Sequence, residues 1–320
     1  MSGPGRFPSH LGVLGPRRST SPIASEPGHR PVLLDEVVSW LTPVPPGSWI
    51  VDGTVGLGGH AAALLERAAD TRLLGLDRDP ASLDLAARRL APFGARVVLR
   101  QADFRHLAGE AAACGVSVAH AILFDLGLSS FQLFHSGRGF SFQADEPLDM
   151  RFDTRRPFSA ADVLRTTPEP ELARLLRTYG EEPAARRIAR RLVAARARGP
   201  ITTTRALAEL VVAAIPPHRR PRRIHAATRT FQALRIAVND ELGSLEAALP
   251  QAARLLAHRG RFGVIAFHSL EDRLVKRAFR QLSAEPEWRL ATRKPIRPGR
   301  DETRVNPRAR SAVFRVLERC

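Results

Sequence analysis

Trp49-Ile50-Val51-Asp52-Gly53-Thr54-Val55-Gly56-Leu57-Gly58-Gly59-His60 runs from an apolar stretch through a glycine-rich turn into a helix-forming segment. A buried strand that stops at such a turn and opens a helix leaves backbone N–H groups free for a ligand. A second apolar run, Arg72 to Leu76, ends at Asp77-Arg78-Asp79. A carboxylate at the tip of the strand that follows the glycine turn can accept both hydroxyls of a ribose, so the pair of segments predicts a nucleotide-containing cofactor.

Outward from these two segments, strand and helix signals alternate. The patterns predict strands over 49–52, 72–77, 96–101 and 119–125, with helices over 60–70, 80–91 and 105–114 between them and a short helix over 32–41 before them. Near-continuous apolar strands separated by helices are the signature of a doubly wound, mostly parallel sheet covered on both faces. From about Leu126 to Arg223 the strand signals stop, and helical patterns occupy 160–164, 170–178, 183–198 and 204–215. A helix over 228–249, a strand over 261–267, a helix over 270–282 and strands over 288–292 and 312–317 then complete the alternation. The chain therefore reads as one α/β sheet interrupted after its fourth strand by a helical insertion.

Composition narrows the class. At 320 residues and 44% hydrophobic content the chain can bury a full core, and no uncharged apolar run approaches the roughly eighteen residues of a membrane span. Cys114 and Cys320 are the only cysteines, which excludes a disulfide framework or a cysteine-based zinc site and suits a reducing cytoplasm. Residues 1–28 are rich in Gly, Pro, Ser and Arg without an apolar signal core, and read as a disordered leader, with a transit peptide as the alternative. The net charge is +17, and only Lys276 and Lys294 among the 49 basic residues are lysines. Between Arg186 and Arg235 stand thirteen arginines and one acid, Glu209, a concentration that points to a polyanion such as nucleic acid. Solvated helix faces are the competing reading.

The four early strands end in or beside acids: Asp52, Asp77, Asp103 and Asp125. Open α/β sheets bind ligands at that edge. Gly56 to Ala61 satisfies the loose dinucleotide pattern, so an NAD-dependent oxidoreductase is a rival. Asp52, directly before the glycines, would repel a pyrophosphate but suits a cofactor with a cationic amino acid end. Asp77 is the candidate for the ribose, with Asp79 as its near competitor. Asp103-Phe104 offers a polar contact and an aromatic edge to adenine. Ser269 to Asp272 and Ser159 to Asp162 are capping-box patterns. His268, beside the fifth strand's tip, reads equally as an orienting group or a packed core histidine.

Taken together, these residues resemble the bacterial methyltransferases that methylate N4 of a cytidine in the decoding region of 16S rRNA from S-adenosyl-L-methionine. The resemblance runs from His29 to Arg319. It rests on His29–Glu36 (HRPVLLDE), the glycine turn, Asp77–Asp79 (DRD), Asp125–Ser130 (DLGLSS), Arg138–Phe142 (RGFSF), Leu148–Arg151 (LDMR), Tyr179–Glu182 (YGEE), Ala227–Ile236 (ATRTFQALRI), Phe267–Arg273 (FHSLEDR) and Asn306–Ser311 (NPRARS). It implies a class I methyltransferase fold, with a sheet domain over 29–135 and 226–320 and a helical substrate-recognition domain over 136–225. Cofactor contacts carry over onto Gly58, Gly59, His60, Asp77, Phe104, Asp125 and Gln132. The partner implied is 16S rRNA within the small ribosomal subunit, with no metal and no membrane; a homodimer is left open. This chain departs from the family at Phe134, where relatives commonly carry an acid, at Phe152, usually methionine, and at Ala226, usually proline.

The exocyclic N4 of cytosine is a poor nucleophile, because its lone pair is delocalised into the ring. A site must fix near-attack geometry and offer acceptors to the amino hydrogens. Asp125 is the candidate catalytic acceptor, with Ser129 and Ser130 as orienting neighbours. The usual aminomethyltransferase signature, Asn or Asp followed by two prolines and an aromatic, is absent, so Asp125 also reads as a cofactor contact alone. A non-catalytic RNA-binding assembly factor is the remaining rival.

Overall fold

The computed structural model describes residues 31–320. The leader expected over 1–28, and His29 and Arg30 of the first family segment, lie outside the described residues.

After α1 (Leu34–Leu41) the chain alternates β1 (Trp49–Asp52), α2 (Gly59–Arg67), β2 (Arg72–Asp77), α3 (Pro80–Leu90), β3 (Val97–Gln101), α4 (Leu107–Ala113) and β4 (Ala119–Asp125). Helices α5 (Ser130–Phe134), α6 (Ala160–Thr166), α7 (Glu169–Gly180), α8 (Ala185–Arg196), α9 (Thr204–Ala214), α10 (Thr228–Asn239) and α11 (Glu241–Leu255) follow. The chain then returns to the sheet through β5 (Leu256–Ala266), α12 (Ser269–Leu282), β6 (Trp288–Leu290), α13 (Arg300–Val305) and β7 (Val313–Arg319). The seven strands pair in the order β3-β2-β1-β4-β5-β7-β6, parallel except for β7, which runs antiparallel to both neighbours. This is the Rossmann-like sheet of class I methyltransferases, closed by the antiparallel β6–β7 pair.

Alternate residues of each strand feed opposite cores because the side-chain period of a strand is two. Val51, Leu74, Ile122 and Phe124 pack under α4, α11 and α12, whereas Ile50, Leu73, Ala121 and Leu123 pack under α1, α2 and α3. A third cluster, including Met150, Leu176, Ile188, Leu207 and Leu234, holds α6 to α10. Phe231, Leu234 and Val238 of α10 belong to it, so this core reaches past residue 226, where the sheet domain was expected to resume.

Four elements differ from the sequence reading. The helix expected over 228–249 is two, because Asp240 adopts a left-handed conformation (φ 48°) and ends α10. The side chain of Asn239 is consumed there, donating to the Met150 and Arg235 carbonyls and accepting from the Phe152 N–H. Strand β5 begins five residues early, at Leu256, which pairs with Ala119; a register shift between Leu256 and Arg261, where Arg259 takes a positive φ, separates that pair from the regular register at Ala121. Helices α5 and α13 were not anticipated; both are under two turns long, too short for a hydrophobic period to register.

Candidate active site

In the order β3-β2-β1-β4-β5 the winding reverses between β1 and β4, and the crevice at such a switch point is where open sheets take ligands. A cavity lies there, walled by the turn after β1, the tip of β2 and the turn after β4.

The glycine turn owes its shape to residues that accept left-handed backbone. Gly56 (φ 51°) and Gly58 (φ 76°) reverse the chain, and Gly58 is the N-cap of α2. Asp77 clamps this turn from the next strand: its Oδ2 accepts the Gly56 N–H at 2.9 Å and its Oδ1 accepts the Asp79 N–H at 2.9 Å. Burial pushes the Asp77 carboxyl up to about 6, against those two backbone bonds.

Of the seven carried-over positions, Gly59, His60, Asp77, Phe104, Asp125 and Gln132 line the cavity and Gly58 does not. Asp52 and Asp103 do not line it either, contrary to their sequence reading. Asp52 is 1% exposed beneath the turn, accepts the Thr54 N–H at 3.0 Å, and is pushed up to about 7 by burial. Asp103 turns away to Arg78 and Arg105, each 3.2 Å distant, and takes the Ser244 hydroxyl. Asp79 is equally unavailable as the ribose acceptor. It is 1% exposed and holds the Gln132 amide and the Arg138 guanidinium, besides capping α3.

Asp125 sits at the centre. Its backbone N–H donates to Thr54 Oγ1 at 2.6 Å, tying the β4 tip to the glycine turn. Its Oδ2 lies 3.4 Å from His60 Nδ1, while its Oδ1 is buried without a hydrogen-bond partner among the described residues. His60 Nε2 faces the Val32 carbonyl at 2.9 Å, so both ring nitrogens point at acceptors. Burial alone would lower the His60 pKa, but Asp125, Asp52 and the Val32 carbonyl outweigh it and raise it. The geometry thus suits an imidazolium, with Asp125 Oδ2 and the Val32 carbonyl as its two acceptors.

Arg308, from the segment before β7, also lines the cavity. It donates to the Leu128 carbonyl and, at 2.9 Å, to Ser130 Oγ, pinning the loop after Asp125. Burial lowers its pKa and the Asp125 charge opposes that. Ser129 is the N-cap of α5 in a reciprocal box with Gln132, so Ser129, Ser130 and Gln132 all serve the loop itself. Phe134 points outward, 48% exposed. Phe152 joins the cavity wall and stacks on Phe140 at 5.3 Å. Of the aromatics over Arg138–Phe142, Phe140 is thereby core, and Phe142 stacks on His225 at 4.6 Å.

At the β5 tip the expected cap is displaced by one residue. His268 is the N-cap of α12, its Nδ1 accepting the Glu271 N–H, while Glu271 accepts from the Phe267 and His268 N–H groups. The Ser269 hydroxyl is free to bond Glu181, which also takes Arg273 at 2.9 Å. Burial would raise the Glu271 carboxyl, but His268, Arg235 and the Phe267 N–H bring it below its ordinary value. Glu271 and Arg308 were not among the sequence candidates, although both lie in quoted segments. Ser159 does form its predicted box with Asp162.

Among the described residues no group of three His, Cys, Asp or Glu is placed to hold a metal, and no helix is long and apolar enough to cross a membrane. The model of the MraW methylase family matches residues 26–320. Curated relatives named ribosomal RNA small subunit methyltransferase H include one from Syntrophotalea carbinolica, 49% identical over 307 residues, covering 91% of this chain and 98% of that protein. The Acidothermus cellulolyticus relative is 50% identical over 307 residues, covering 91% and 93%. That of Heliobacterium modesticaldum is 46% identical over 308 residues, covering 91% and 98%. A match along nearly the whole described chain, with relatives of the same extent, places this chain in the MraW methylase family.

Proposed function

We propose that this protein is an S-adenosyl-L-methionine-dependent methyltransferase acting on N4 of a cytidine in the decoding region of 16S rRNA. The observation that carries the reading is the pairing of two carboxylates across one crevice. Asp77 and Asp125 both line it, and Asp125 Oδ1 is buried without a donor among the described residues. An unsatisfied buried acceptor is costly in a folded protein, so its place at a cavity wall marks it for a ligand donor.

The residues present fit the cofactor. Asp77 spends one lone pair of each oxygen on backbone N–H groups and keeps the other for ribose hydroxyls. Gly59, His60, Phe104 and Gln132 complete the candidate binding wall, and Gly58 shapes it. When bound, the cofactor supplies an electrophilic methyl group on sulfur. Asp125 Oδ1 accepts an amino hydrogen of the cytosine and favours a pyramidal nitrogen. His60 lies beside Asp125 Oδ2, and Arg308 donates to Ser130 and Leu128 of the loop that follows it. Thr54 Oγ1 and Arg308 fix the loop that carries it, so its direction is set before substrate arrives. The target base must be unpaired or extruded to reach this depth. The arginines of α8 and the 219–223 segment supply charge for the surrounding phosphates.

Titration calorimetry with S-adenosylhomocysteine and with NAD separates this reading from an oxidoreductase: heat from the former and none from the latter is expected. Mass spectrometry of 16S rRNA from a deletion strain separates it from an assembly factor. Loss of the N4-methyl mark is expected, and its persistence would overturn the assignment. The protein is expected in the cytoplasm with its ribosomal partner.

A further inference from the structure

A second cavity opens away from the first, between α12, β6 and the segment that follows it. Its rim holds Lys276 and Arg280 from α12, and Arg293 and Lys294 from beyond β6, over a floor that includes Phe279 and Thr292. Lys276 and Lys294 are the only lysines of the chain, against 47 arginines. Four positive groups at one concavity repel one another unless something neutralises them.

Among the described residues nothing does. Among the described residues none of the four makes an ion pair or a side-chain hydrogen bond, although their neighbours do. Arg273 and Arg277, on the same helix, pair with Glu181 and Glu246, and Arg315, on the cavity floor, is taken by Asp272 at 2.7 Å. Lys276 and Arg280 are spaced i, i+4 and so share one face of α12, pointing to the same anion-sized space. The ammonium group is a compact point charge with three freely rotating donors, suited to a phosphate met in varying orientation. The guanidinium adds a planar fork for two phosphate oxygens.

Helix α12 also fixes where this site lies relative to the first. It begins at Ser269, next to Glu271 of the active-site wall, and reaches Lys276 seven residues on, about 10 Å by helical rise. A chain of phosphates leaving the crevice along α12 would meet the second cavity within a few nucleotides. We propose that the concavity of Lys276, Arg280, Arg293 and Lys294 holds the phosphate backbone of the RNA substrate beyond the target nucleotide. The inference rests on the RNA substrate proposed above, and adds a second contact on the sheet domain, away from the arginine-rich helices.

The test is equilibrium binding of a 16S rRNA fragment, by fluorescence anisotropy across a salt series, to the full chain and to K276A/K294A. A control, R67A/R254A, removes two exposed charges elsewhere. Each single-strand phosphate contact contributes about 0.7 to the slope of log affinity against log salt. K276A/K294A is therefore expected to lose about 1.4 from that slope and about tenfold in affinity at low salt, with S-adenosylhomocysteine binding unchanged. An unchanged slope, or an equal loss in R67A/R254A, overturns the site. Wild-type binding without methylation would defeat the enzymatic reading alone, since the slope comparison needs no turnover; absence of RNA binding by wild type would overturn both. Inorganic phosphate is the second arm: competition by it at millimolar concentration that K276A/K294A abolishes, without any change in RNA slope, would assign the cavity to a free anion and overturn the RNA contact.

Discussion

Asp125 Oδ2 lies 3.4 Å from His60 Nδ1, while the far nitrogen of the same ring is 2.9 Å from the Val32 carbonyl. One imidazole thus links the β4 tip, the start of α2 and the segment before α1, and it does so best when protonated. Because the folded-state pKa of His60 is raised, its contribution to stability is fully present below the unfolded value of about 6.5 and is lost as pH rises through the folded value. Urea unfolding of wild type and H60Q across pH 5.5 to 8.5 checks this: the wild-type advantage should shrink toward the alkaline end. A difference independent of pH would refute the imidazolium assignment.

Asp52 shows the opposite cost. Its carboxyl is pushed up to about 7 by burial, so the folded state binds the proton more tightly than the unfolded chain, and stability falls as pH rises from about 4 through 7. D52N keeps an acceptor for the Thr54 N–H and removes the charge. It should stabilise the protein at pH 8 by on the order of a few kcal/mol and change little at pH 4, as read by denaturation midpoints.

Asp77 is predicted to carry ribose recognition. D77N preserves the carboxamide oxygen for one backbone N–H but loses a charged acceptor, a change of about 1.5–3 kcal/mol, or roughly tenfold to a hundredfold in Kd. Calorimetry with S-adenosylhomocysteine measures it; an unaltered Kd would remove Asp77 from the ribose site.

Gly53 has no room for a side chain. A Cβ there would lie 2.4 Å and 2.6 Å from two ring carbons of fully buried Phe124. G53A should destabilise by about 1–3 kcal/mol through overpacking. The double variant G53A/F124L should recover part of that loss, which a thermal-melt cycle would show as non-additivity.

Arg138 bonds the buried Asp79 and the Arg151 and Phe152 carbonyls, joining the helical segment to the sheet. R138A strands a carboxylate that is 1% exposed and should cost about 3 kcal/mol, with R138A/D79N less damaging than R138A alone. Gln132, which shares Asp79, should then show faster local hydrogen exchange.

The sequence by itself determined the alternation of strands and helices, the helical interruption after β4, the glycine turn, and the row of acids at the strand tips. Each of these is written in local periodicity or in adjacent residues, so distance in space does not matter to it. Only the tertiary structure decided which acids face the crevice. Asp77 and Asp125 do, whereas Asp52 is sealed beneath the turn and Asp103 is claimed by two arginines. The direction of a strand-tip carboxylate depends on the turn that follows and on partners from other elements, which no local pattern encodes. The same reason hid Arg308, which meets Leu128 and Ser130 from 180 and 178 residues away, and the convergence of the two lysines on one cavity. It also moved the α12 cap to His268, because Glu181, 88 residues earlier, took the Ser269 hydroxyl.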